Sequence, residues 1–228
     1  MKLHPTSSLL LALLALGTTG LAVDSASEPK TLMTTRGKSL LSEDFKELDA
    51  KAWPAAKGKW EIADGALRGA EVPADKHAGV TRHPLAFKDA VIQYDFKLDG
   101  AKGTSLSIND KQHVCRVSIT PAGFTVQKDD RDHEGPDKAV IFQKVAMPLQ
   151  AGEWHTLVVE ILGKEMLATV DGQKSGYGEN ERVADPKANL GFTVAGEAIS
   201  IRNLRIWEAQ PNPEWTTNKS KLAAAPAK

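Results

Sequence analysis

Cysteine is nearly absent: Cys115 is the single one in 228 residues. One thiol closes no intramolecular disulfide, so stability has to come from the core. Neither sign of charge is in excess, with Lys+Arg and Asp+Glu at 29 each. That balance supplies no long-range field to recruit nucleic acid or an anionic membrane. Helical periodicity is missing from the body of the chain, which argues against alternating strand–helix units. Apolar runs of the ~20 residues needed to span a bilayer are missing too, so no membrane span is expected. The one marked apolar run, Leu9–Leu16, follows Lys2 and His4 and precedes Gly20-Leu21-Ala22. A basic start, a short apolar centre and small residues make a secretory signal peptide of residues 1–22. Cleavage is expected after Ala22, with Ala26 as the alternative, giving a secreted or periplasmic product.

What fills the chain is a succession of short β-like runs. Strands are expected at Ser39–Phe45, Lys59–Ile62, Ala66–Ala70, Gly79–Arg82, Ala90–Leu98, Thr104–Ile108 and Val114–Ile119. Further strands follow at Phe124–Lys128, Ala139–Val145, Trp154–Ile161, Glu165–Val170, Ala188–Val194 and Ile199–Ala209. Asp64-Gly65 and Pro121-Ala122-Gly123 supply hairpin turns. The pattern is that of one all-β domain over residues 38–209, an antiparallel β-sandwich. Residues 23–37 read as a linker and residues 210–228 as a flexible tail. Alternation sends Ile92, Tyr94, Phe96 and Leu98 to the core and Gln93, Asp95 and Lys97 to the other face. Cys115, in phase with Val117 and Ile119, is expected to be buried and unreactive.

Gly152-Glu153-Trp154-His155, followed by a strand, a Gly turn, a second strand and Asp171-Gly172, resembles a stretch of the concanavalin A-like lectin/glucanase jelly rolls. A closer resemblance lies in Trp60-Glu61-Ile62-Ala63-Asp64-Gly65-Ala66-Leu67-Arg68-Gly69, in Asp95-Phe96-Lys97-Leu98 and in Ile201-Arg202-Asn203-Leu204-Arg205-Ile206. These are similar to motifs of the 3-keto-disaccharide hydrolases, relatives of the family 16-type glycoside hydrolases. The resemblance implies a concanavalin A-like fold and a carbohydrate ligand. It assigns no catalytic residue, because Gly103-Thr104-Ser105 replaces the family's Asn-Ser-Gly turn, and the next strand, where the family often carries a Glu two residues before a hydrophobic pair, reads Cys115-Arg116-Val117-Ser118-Ile119. The Glu-x-Asp-x-x-Glu strand of the family 16 glucanases is absent.

A glycosidase ordinarily works with two carboxylates about 5–5.5 Å or 6.5–9.5 Å apart. Asp95 is the one carboxylate expected to face outward from a strand, with Asp110, Asp129 or Glu71 as a loop partner. His83 and His113, near Arg82 and Arg116, are candidates for acid–base work. Gln93, Asn109, Arg116, Gln127 and Arg82 offer the amides and guanidinium groups that sugar hydroxyls require, and Trp53 and Tyr177 the stacking rings. Asp130, Asp132 and Glu134, before Gly135, imitate half a calcium loop, so calcium is the one cofactor to consider. Three readings stay open: a glycoside-cleaving enzyme, a glycan-binding module that cleaves nothing, and a structural domain of the cell envelope.

Overall fold

The computed structural model of the chain describes Met1 and residues 28–224; the expected signal peptide, Met1 aside, lies outside these. In chain order the strands are β1 (Thr34–Glu43), β2 (Ala55–Lys57), β3 (Lys59–Ala63), β4 (Ala66–Ala70), β5 (Gly79–Phe87), β6 (Ala90–Asn109) and β7 (His113–Thr120). They continue as β8 (Gly123–Lys128), β9 (Val140–Ala146), β10 (Trp154–Leu162), β11 (Glu165–Val170), β12 (Lys174–Glu179) and β13 (Lys187–Pro211), before one helix, α1 (Trp215–Ala224). All pairings are antiparallel. This is the expected β-sandwich.

Two strands are long enough to serve both sheets. Residues 90–97 of β6 pair with β10, while Thr104–Asn109 pair with β7. Its other neighbour throughout is β13. The first sheet therefore runs β12-β11-β10-β6-β13, with β1 and the β3–β4 hairpin on the far side of β13. The second runs β9-β8-β7-β6-β13-β5-β2. The crossing falls at Gly100 and Gly196, with φ of 84° and 90°. A Cβ on Gly196 would sit 2.8 Å from the backbone nitrogen of Lys102, so a sharp, bulged corner needs glycine there.

Between the sheets Ile92, Tyr94, Phe96 and Leu98 pack with Leu106, Ile108, Val117, Phe124, Leu190 and Phe192 in one core. Cys115 is fully buried among them, and burial pushes its thiol up to about 12.

Both termini do more than the sequence suggests. The end of the expected linker enters β1 at Thr34, and before it the amides of Leu32, Met33 and Thr34 donate to the carboxylate of Glu160 at 2.6–2.9 Å. Part of the expected tail is α1, whose Asn218 donates to the Leu32 carbonyl at 2.9 Å and whose Lys219 pairs with Glu165 at 2.9 Å. Together they lie over the outer face of the first sheet. Leu167 and Thr169, which point outward there, are consequently buried.

Candidate functional site

The outer face of the second sheet has short polar residues along its middle and long ones at its flanks. The cross-strand row Arg82–Gly191–Ser107–Arg116–Gln127 runs from β5 to β8. Ser105, Ser107 and Asn109 are only 4–5% exposed although they face outward. Short side chains so nearly covered, between Arg82 on one side and Arg116 on the other, form the floor of a groove. At one end of it a cavity of about 390 Å³ is lined by Arg82, Asn109, His113, Arg131, His133 and Asn189, among others.

His113 reaches that cavity by an irregularity. The pairing shifts between Ile108↔Cys115 and Asn109↔His113, leaving Val114 as an extra residue. Without the bulge His113 would share a phase with buried Cys115; with it, the ring stands beside Asn109 on the groove face. Asn109 Nδ2 donates to Asn189 Oδ1 at 2.9 Å, and Ser107 Oγ donates to Asn109 Oδ1 at 3.0 Å. The same Oδ1 lies 2.8 Å from His113 Nδ1. A carbonyl oxygen only accepts, so Nδ1 carries the proton and Nε2 keeps its lone pair in the neutral ring. Burial pushes the His113 pKa below its ordinary value. Asp129, 4.0 Å away, opposes this, while the charges of Arg116, Arg82 and His133 add to the lowering. The outcome is a neutral imidazole next to Arg82, which has no ion pair or side-chain hydrogen bond among the described residues.

Asp129, 3% exposed in its side chain, is the groove's buried carboxylate. Arg116 donates to it through Nε at 2.6 Å and through Nη2, and Gln127 adds a longer bond at 3.4 Å. Its charge is thereby matched.

Several sequence-predicted site residues stand elsewhere. Asp95 and Gln93 are on the outer face of the first sheet, away from the groove. Asp95 accepts from Thr156 Oγ1 at 2.7 Å, Asn203 Nδ2 at 2.7 Å and Arg202 Nε at 3.3 Å, which fits a strand-bracing ion pair. Gln93 Oε1 accepts from Arg36 at 2.8 Å. His83 is opposite core residue Leu190 and so turns inward, stacking on Trp53 at 4.9 Å and bonding the Ala52 carbonyl at 3.0 Å. Alternation separates it from its neighbour Arg82. Trp53 is buried in the core rather than offered to a ligand, and Tyr177 packs against Trp215 with its hydroxyl donating to Glu165. Asp130, Asp132 and Glu134 do not converge. The first two accept the amides of His133 and Glu134 within their own loop, and no cluster of three His, Cys, Asp or Glu fit for a metal occurs among the described residues. What the groove does gather is Arg82, Asn109, His113, Arg116 and Gln127.

Asn189, Arg131 and His133 were not singled out from the sequence. Asn189 alternates out of phase with Leu190 and Phe192, a signal that was available. Arg131 and His133 belong to a polar loop whose path no local pattern specifies.

The fold is shared by carbohydrate-active proteins. Similar structures include a Bacillus licheniformis β-glucanase (11% identity, TM-score 0.56, covering 77% of this chain and 100% of that one). A carbohydrate-binding module of Bacillus subtilis has 12% identity and a TM-score of 0.55, over 69% and 96% of the two chains. A Bacillus subtilis protein of unknown function with a galectin-like fold has 13% identity and a TM-score of 0.62, over 79% and 100%. At such identities the likeness is one of fold: this is a concanavalin A-like jelly roll. The family follows from sequence. Residues 39–207 match the 3-keto-alpha-glucoside-1,2-lyase-like domain, and the chain belongs to that family. No curated protein matches it in sequence.

Proposed function

We propose that this protein is an exported carbohydrate-active domain that binds a sugar in the groove of the second sheet and cleaves a 3-keto-α-glucoside by elimination. The observation that carries the reading is His113: a neutral imidazole, Nδ1 tied to Asn109, lining a cavity beside the guanidinium of Arg82, which is unpaired among the described residues. A ketone at C3 acidifies the hydrogen on C2. His113 Nε2 takes that proton, and the negative charge left on the C3 oxygen is met by Arg82. The electrons then form the C1–C2 double bond as the C1–oxygen bond breaks. Such a reaction needs one base and a cationic oxyanion site, and does without the two spaced carboxylates of ordinary glycosidases. Support comes from Asp129 being matched by Arg116 and from Asp95 standing on the other sheet.

A second reading, a module that holds a glycan without cleaving it, is favoured by the Ser107–Arg116–Gln127 row, which extends hydroxyl-binding groups away from the cavity. One experiment separates the two. Wild-type protein incubated with a 3-keto-α-glucoside should release the free aglycone and an unsaturated keto-sugar. His113→Ala should cut that turnover by roughly 10²–10⁴-fold and leave binding largely in place. Binding with no turnover by the wild type would establish the module instead; neither binding nor turnover would remove the groove from consideration. Export rests on the N-terminal signal, and a mature N-terminus at Val23 or Ser27 in host-secreted protein is its check.

A further inference from the structure

Elimination moves two protons, and His113 accounts for one. The oxygen leaving C1 departs as a costly alkoxide unless an acid meets it. His133 lines the same cavity, its ring centroid 5.4 Å from that of His113 with the planes at 51°. It comes from the loop between β8 and β9, where its φ of 67° places a non-glycine residue in the left-handed region. That conformation is unfavourable for a residue with a side chain and has to be held by its surroundings.

The loop is braced to hold it. Asp130 Oδ1 accepts the His133 amide at 2.9 Å and Asp132 Oδ1 accepts the Glu134 amide at 3.0 Å. Asp132 Oδ2 also accepts from Gln112 Nε2 at 2.9 Å, tying the loop to the turn before β7. At its far end the almost fully buried Lys128 Nζ binds Asp137 and the Lys138 carbonyl. Asp130 and Asp132 thus brace the loop on either side of this residue. The His133 ring itself has no hydrogen-bond partner among the described residues and is exposed to solvent, so its nitrogens are free to meet a group bound in the cavity.

We infer that His133 is the general acid that protonates the leaving oxygen, so that His113 and His133 divide the elimination between them. The inference rests on the elimination reading. In balance, the C2 proton passes to His113 Nε2 and the C2–H electron pair becomes the C1–C2 double bond. The C1–oxygen bond pair leaves with the aglycone oxygen, which takes a proton from His133. Transfer of a proton from His113 to His133 through water then restores both rings, and no oxidant or reductant is consumed.

The test compares 3-keto-α-glucosides with a poor leaving group (ethyl) and a good one (p-nitrophenyl), using the whole protein. In His133→Gln the ethyl glycoside should lose roughly 100-fold or more in kcat/KM, the nitrophenyl glycoside less than about 10-fold, and added imidazole should restore part of the ethyl activity. Equal losses on both, or none, would overturn the inference while leaving the elimination intact. Should the variant fold poorly, the wild type decides: assisted departure gives a shallow dependence of rate on leaving-group acidity, and a steep one overturns the assignment. Cleavage of neither glycoside by the wild type overturns this inference together with the elimination reading.

Discussion

Asn109 accepts hydrogen bonds from Ser107 and His113 on one oxygen while its amide nitrogen is committed to Asn189, so its orientation is fixed and with it the His113 tautomer. Replacing Asn109 by Asp would put an anion against Nδ1, favour the imidazolium and remove the base. The pH dependence follows from the direction of the His113 shift. A base is active when unprotonated, and burial places the His113 pKa below the ordinary 6.5. The acidic limb of kcat/KM should therefore bend below pH 6.5, with activity rising as pH increases through that bend; an inflection above 6.5 would contradict the assignment. Arg116 illustrates a residue with two jobs. It faces the groove, yet it also neutralises buried Asp129, so Arg116→Ala should destabilise the fold as well as weaken a sugar.

At the scale of elements, strand positions were legible because apolar residues alternate clearly in Ala90–Leu98 and its neighbours. The lengths were not: β6 and β13 each join two expected strands through a bent corner that glycines mark but do not announce. Strand β12 escaped notice because Lys174-Ser-Gly-Tyr-Gly-Glu179 has no β-branched residue. Its glycines are there because Val126 and Phe142 of neighbouring strands press against Gly176 and Gly178. The N-terminal segment is a further case, since its docking depends on a carboxylate more than a hundred residues away. Glu160 is 1% exposed and also accepts from Thr34 Oγ1 at 2.8 Å. Glu160→Gln replaces a four-acceptor carboxylate with an amide that must turn a donor toward those amides. It should cost about 2 kcal/mol and, in hydrogen exchange, release Leu32–Thr34 well before the core strands. Unchanged protection at those amides would show that the segment is held by other contacts.

For the whole molecule, the shared strands make the two sheets one unit, because neither can lose β6 or β13 without exposing the common core. Cys115 reports on the second sheet, Trp154 and Trp207 on the first, and Trp53, stacked on His83 and Phe192, on the core between them. In a urea titration, thiol labelling of Cys115 and tryptophan fluorescence should give coincident transitions. Rapid labelling in the absence of denaturant, or two separated midpoints, would refute this coupling. The termini add an asymmetry. By covering the first sheet they leave the second as the broad polar face open to a ligand, and the cavity with its two histidines opens there.

The sequence by itself determined the all-β class, the carbohydrate-related family, the buried state of Cys115 and which residues face out along regular strands such as Ala90–Leu98. Alternation is a local property with a period of two, and local order suffices for all of these. It does not say on which sheet an outward residue emerges. Asp95 and Ser107 share a phase on the same strand and end on opposite sides of the sandwich, because β6 folds over at Gly100 between them. Only the tertiary structure could separate Asp95 and Gln93 from Arg116. It alone turned His83 inward, and through one extra residue at Val114 it brought His113 out to meet Asn109 and the loop that carries His133.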